Sequence, residues 1–159
     1  QGKGPSVKIL DYLKEEWVLP DLQGTDKRSI LKELSGVLVK PCQVTSGEEI
    51  LQVLLERERL GSTGIGEGIA IPHGRLKKLR TFFISFGRSI KGVEFDSIDH
   101  HPSQLFFLVM APENSAVDNL KLLGRIVTLL KDASFKKRLM EDHTREGLFK
   151  IISEEDEKY

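Results

Sequence analysis

At 159 residues the chain has the length of one globular domain with room for a real core, and its 24 Lys and Arg balance 24 Asp and Glu. The zero net charge excludes a global field that would draw it to nucleic acid or an anionic membrane, so recognition must be local. No apolar run is long enough to enter a bilayer or form a signal-peptide core, which makes the cytoplasm the expected compartment.

Gln1 to Ser6 begins without Met and is set aside as a flexible N-terminus or the remnant left by a protease site. From Val7 to Leu13 the apolar groups are spaced as in a short helix, and Trp17-Val18-Leu19 reads as a brief strand before Pro20. Thr25-Asp26 can cap a helix that carries Ile30, Leu31, Leu34, Val37 and Leu38 until Pro41 stops it. Cys42, the single cysteine, excludes an intramolecular disulfide and a multi-cysteine zinc site and reads as a small, partly buried residue. A second helix follows, with Ser46 and Glu49 at capping-box spacing, an apolar face through Ile50, Leu51, Val53, Leu54 and Leu55, and Gly61 at its end.

Between Gly61 and Gly68 four glycines fall in eight residues, which predicts a shaped loop. Ile69-Ala70-Ile71 then reads as a strand that Pro72 ends, delivering His73 at the strand's end. Thr81 to Phe86 reads as a third strand, and Leu105 to Met110, bounded by Pro102 and Pro112, as a central strand buried on both faces. The remainder predicts helices: Leu120 to Leu130, a short one capped by Ser134 and running through Leu139, and a last one from Thr144 through Ile152. The acidic run Glu154 to Glu157 reads as a frayed, solvated tail, which gives a domain over 7–153 and a tail over 154–159.

Glycine clusters cradle phosphates through backbone N–H groups, but the two best-known versions do not fit. A Walker loop needs a Gly-Lys-Ser/Thr ending, and a dinucleotide fingerprint needs a strand before and a helix after, the reverse of the order here. His73 lies between Pro72 and Gly74, fixed on one side and unobstructed on the other, as a nucleophile would be. A neutral imidazole is nucleophilic near pH 7, and a hydrogen bond to its second nitrogen fixes the tautomer. Arg57 or Arg59 could supply a guanidinium for a phosphoryl group on it, or both could form a solvated face with Glu56 and Glu58. His100 and His101 are adjacent before Pro102 in what reads as a turn, and with His143 distant in sequence they make a poor metal set.

The run from Arg57 through Gly74 resembles the active-site signature of phosphotransferase-system IIA domains of the fructose–mannitol type, including the stand-alone nitrogen-regulatory branch. The likeness continues through Phe95-Asp96, Asp99, Pro102, Ala111-Pro112 and the helix from Leu120, covering roughly residues 8 to 152. It implies an α/β fold, a single-domain three-layer α/β/α sandwich around a mixed sheet of about four or five strands, with the phosphorylation site at strand ends. It implies that His73 accepts a phosphoryl group from a histidine-containing, HPr- or NPr-like carrier, and that Arg57 is the phosphate's partner. Gly61, Ser62, Thr63 and Gly64 would be the phosphate-binding loop. Onward transfer goes to a IIB domain in the sugar-specific reading or to control of a target protein in the regulatory one, which the stand-alone resemblance favours; a phosphate-independent binding module is the further alternative. Relatives usually carry a second histidine where this chain has Asn119, an amide that can hydrogen-bond but not carry charge. No cofactor, metal, nucleic acid or membrane insertion is implied.

Overall fold

A computed structural model describes residues 7–159. After a 3₁₀ turn at Ile9–Asp11 come β1 (Leu13–Leu19), α1 (Lys27–Gly36), α2 (Gly47–Arg59), β2 (Gly64–Gly66), β3 (Ile69–Ala70), β4 (His73–Leu76), β5 (Phe83–Val93), β6 (Ser103–Pro112), α3 (Ala116–Leu130), α4 (Ala133–Glu141) and α5 (Arg145–Lys158). The N-terminal segment set aside above, Gln1 to Ser6, lies outside the described residues.

The strands form one six-stranded mixed sheet in the order β1-β5-β6-β3-β2, with β4 beside β6 in line with β3. β6 runs antiparallel to β5 and parallel to both β3 and β4. Its residues from Leu105 to Ala111 are all buried, as expected for a central strand covered on both faces. The helices pack as two groups, α1 with α2 and α3 with α4 and α5, each group against the sheet. That makes three layers.

Several elements differ from the sequence reading for identifiable reasons. The start expected to be helical from Val7 to Leu13 is only a 3₁₀ turn, and the strand after it is longer than Trp17–Leu19, because Leu13, Trp17 and Val18 turn inward to pair beside β5 while Lys14, Glu15 and Glu16 stay exposed. α1 is capped by Asp26, whose carboxylate takes the Ser29 amide while the Ser29 hydroxyl takes the Asp26 amide. Ser46 sits at the N-cap of α2 but makes no capping hydrogen bond, so the expected box with Glu49 is absent; Glu49 instead faces Lys78 at 3.9 Å. β5 runs well past Phe86, because the buried Arg88 donates to the carbonyls of Pro20, Leu139 and Asp142 and so replaces the water its guanidinium would require. Asp132, not Ser134, caps α4, accepting the amides of Ser134 and Phe135.

The acidic terminus is a correction too. α5 continues through it to Lys158, with Glu155 and Asp156 buried. Asp156 accepts from Arg125 Nε at 2.7 Å and from the Leu10 amide at 3.0 Å, which ties the last helix to α3 and to the chain's start. Cys42 is buried more fully than expected, and desolvation pushes its thiol pKa up to about 11. Among the described residues no helix is long and apolar enough to cross a membrane.

Candidate functional site

The site sits where one strand path is broken. β3 pairs Ile69 with Leu105 and Ala70 with Phe106, and β4 resumes at His73 opposite Val109, so the register along β6 is kept across the gap. Pro72 has no N–H to give the ladder, yet its carbonyl still accepts the Val109 amide at 2.9 Å. His73 therefore opens a new strand beside β6 rather than following the end of the one before it, a correction to its expected place. The break also releases the Ile71 carbonyl, which lies 2.8 Å from His73 Nδ1.

On the other side of the ring, Arg57 Nε donates to His73 Nε2 at 3.2 Å, and Arg57 Nη1 donates to the Gly61 carbonyl at 2.7 Å. The two ring contacts together select one tautomer. Nδ1 carries the proton toward Ile71 O, and Nε2 presents its lone pair beside a guanidinium. Burial pulls the His73 pKa below the ordinary histidine value, the charges of Arg57 and Arg75 act in the same direction, and the Ile71 carbonyl and the Glu58 carboxylate partly oppose them. The ring thus stays neutral and nucleophilic to lower pH than an exposed histidine.

Gly74 explains how α2 comes so close. A Cβ there would stand 2.6 Å from Val53 Cγ1, so only glycine lets the helix bearing Arg57 lie against β4. Arg59 is turned away, exposed and paired with Glu56. Glu58, expected on that same solvated face, is instead buried.

The glycine stretch is a hairpin rather than an open loop. β2 and β3 pair antiparallel, and the turn between them holds Glu67 at φ +57° and Gly68 at φ +79°. Three of the four amides from Gly61 to Gly64 already donate within the protein: Gly61 to the Glu58 carbonyl at 3.1 Å, Thr63 to Glu58 Oε1 at 3.2 Å and Gly64 to Ser62 Oγ at 2.9 Å. Asn119 lies in the first turns of α3, buried, with its Oδ1 lacking a hydrogen-bond partner among the described residues. His100 and His101 sit in a turn anchored by Asp99, and His143 lies by Arg88, so the other histidines are not gathered with His73.

Sequence reasoning missed three groups. Arg75 lies two residues beyond His73, hence on the same side of the strand, a relation visible once His73 is read as opening β4. Glu58 stands four positions after Leu54 and therefore on the apolar side of α2, a signal that its charge obscured. Lys27, which contacts Glu58 from α1, left no local trace.

The family described as "Phosphoenolpyruvate-dependent sugar phosphotransferase system, EIIA 2" matches residues 11–155. A nitrogen regulatory protein from Bradyrhizobium diazoefficiens is 37% identical over 149 residues, 92% of this chain and 95% of the relative. The fructose-specific EIIABC component of Bacillus subtilis is 33% identical over 150 residues, which span 94% of this chain but 24% of that protein. Among solved structures, the nitrogen regulatory protein IIA-Ntr of Neisseria meningitidis superposes with a TM-score of 0.84 at 29% identity, covering 89% of this chain and 97% of that one. The six-stranded mixed sheet, its broken strand and a match that runs through nearly every element converge on one statement: the chain belongs to the EIIA type-2 family of the phosphoenolpyruvate-dependent sugar phosphotransferase system.

Proposed function

We propose that this protein is a regulatory phosphocarrier that takes a phosphoryl group on Nε2 of His73 from the phosphohistidine of an HPr- or NPr-like carrier. The observation that carries the reading is the chain Arg57 Nε–H to His73 Nε2 and His73 Nδ1–H to Ile71 O, which leaves one nitrogen as nucleophile with a cation beside it. In the transfer, Arg57 gives up its hydrogen bond to Nε2, and the freed lone pair forms the new P–N bond as the P–N bond to the carrier breaks, with the carrier's imidazole as leaving group. Attack through Nε2 leaves Nδ1 protonated, so the phosphorylated ring is cationic until that proton departs. Ile71 O and Glu58, which both favour the charged ring, offset that charge. Arg57 meets the phosphoryl oxygens with charge-assisted hydrogen bonds, and catalysis consists of positioning and electrostatics, with no cofactor called for.

The engaged amides give the segment from Gly61 to Gly64 the role of shaping the turn that presents Arg57, more than of cradling the anion directly. Exposed Leu60 and Ile98 beside that segment, and Val117 and Leu120 on either side of Asn119, form apolar ground for the carrier. The test is to incubate the protein with phosphoenolpyruvate, enzyme I and the carrier and to locate phosphate by mass spectrometry under non-acidic conditions. Phosphate on His73 supports the reading; its absence, or its presence elsewhere, overturns it. The likeness to a fructose-specific component supports a second reading, onward transfer to a IIB domain, which loss of label to an added IIB domain would reveal.

Asn119 takes the place of the family's second histidine and gives its anion site an amide without charge. With histidine at that position, Asn119→His, the phosphohistidine should persist about fivefold longer near pH 5.5, the scale of one added hydrogen bond of roughly 1 kcal/mol. The difference should vanish near pH 8, where an unperturbed histidine with a pKa of about 6.5 is neutral. Decay rates followed from about pH 5.5 to about 8 check this; coincident profiles would place residue 119 away from the phosphate.

A further inference from the structure

The turn that presents Arg57 is held from behind by a buried carboxylate. Glu58 accepts the Thr63 amide at 3.2 Å on Oε1 and the Thr63 hydroxyl on Oε2. Its charge is met by Lys27, whose Nζ lies 3.0 Å from Glu58 Oε1. Lys27 opens α1, 31 residues away in sequence, and forks: its ammonium also reaches Asp96 Oδ2 at 3.1 Å and lies 4.9 Å from the centre of the Phe95 ring. The Phe95 carbonyl in turn accepts the Ser62 hydroxyl. Residues 58, 62 and 63 are thus fastened to the start of α1 and to the Phe95-Asp96 segment, while the Arg57 side chain bridges the Gly61 carbonyl and His73.

Consecutive residues on a helix point about 100° apart, so the inward anchoring of Glu58 sets the direction in which Arg57 leaves the last turn of α2. Charge matters as well as direction. A buried carboxylate with its cation removed seeks another, and of its two neighbours Arg59 is held by Glu56 on the exposed face, which leaves the Arg57 guanidinium as the competitor. We propose that Lys27 is a positioning residue for phosphoryl uptake, which by neutralising Glu58 keeps that carboxylate on Thr63 and leaves Arg57 free to address His73 Nε2. The inference rests on His73 being the acceptor, and Lys27 itself touches neither the ring nor the transferred group.

The test compares Lys27→Met, Lys27→Arg and the double variant Lys27→Met/Glu58→Gln with the parent chain. Two readouts are used: uptake from the phosphorylated carrier over a range of carrier concentrations, and the ¹⁵N spectrum of the His73 ring without carrier. Lys27→Met should lower the maximal uptake rate about tenfold, less than the roughly hundredfold that outright misplacement of a catalytic contact can cost, with half-saturation unchanged because Lys27 is largely covered and is not among the exposed apolar residues on which the carrier docks. Its His73 Nε2 resonance should move as the Arg57 hydrogen bond is lost. Lys27→Arg should restore both readouts. The double variant should recover much of the rate, since a neutral amide at position 58 no longer competes for Arg57. A purely stabilising salt bridge predicts otherwise: loss that follows the melting temperature, no recovery in the double variant and an unmoved ring spectrum, and that pattern overturns the inference. If the parent chain takes up no phosphate, the acceptor reading fails while the ring spectra still decide whether Lys27 controls the Arg57–His73 contact.

Discussion

Alanine at position 73 will abolish phosphoryl uptake and leave a folded protein. The imidazole contributes the nucleophile in the proposed reaction, and Arg57 Nε is directed at that ring nitrogen alone. The fold, in contrast, asks little of the ring. Strand β4 is held by its backbone, through Pro72 O to Val109 N and the pairing of residues 73–76 with 109–112, and by glycine at 74. Losing the two side-chain hydrogen bonds should cost about 1–2 kcal/mol of stability. Label incorporation measured beside the melting temperature separates the two effects. A labelled His73→Ala variant would remove His73 as acceptor, and a variant that fails to fold would make the histidine a structural element of the strand.

Arg57→Ala should slow uptake about a hundredfold, the usual result of deleting a donor aimed at developing negative charge, whereas Arg59→Ala should stay within about twofold because its exposed pair with Glu56 contributes little. Arg57→Lys should recover only part of the loss, since an ammonium cannot hold Gly61 O and the ring together as a guanidinium does. A pH dependence follows with a definite sign. Arg57 is one of the charges that hold the His73 pKa down, so its removal raises that pKa and a larger share of rings is protonated in mildly acidic solution. The deficit of Arg57→Ala should therefore widen as pH falls, although burial, the larger cause, still acts on the ring. Rate–pH profiles for the three variants test the assignment, and equal losses from residues 57 and 59 would reduce it to general positive charge.

Much of this was legible from the chain alone where local pattern and tertiary environment agree. β6 reads as a doubly covered strand because Leu105 to Met110 is uninterrupted, and the helices α1, α2, α3 and α5 announce themselves through apolar spacing, with caps that hold at Asp26 and Thr144. Failures occur where charge and burial part company. Glu58, Arg88, Glu155 and Asp156 are charged residues in the interior, and each led to an element or a face being read as solvated or cut short. For two of them the cation lies far along the chain, Lys27 for Glu58 and Arg125 for Asp156, so nothing in a local window pairs these two. The same holds for the site. Arg57 and His73 belong to one contiguous signature, but the carbonyl that orients the ring exists as a free acceptor only because a strand pairs on both sides of the break at residues 71 and 72.

That interruption behaves as a ruler. Ile69, Ala70 and His73 all keep the same offset to their partners on β6, so the two residues between the strand segments are counted by the sheet itself. Deleting either Ile71 or Pro72 would force a choice between slipping β4 by one place, which sends the imidazole to the opposite side of the sheet, and stretching a connection that is already extended. An inserted residue would separate the ring from its carbonyl partner. Point changes around His73 can be absorbed by repacking, whereas changes in length between Ala70 and His73 cannot, so this short stretch should be the least tolerant of insertions and deletions in the whole chain.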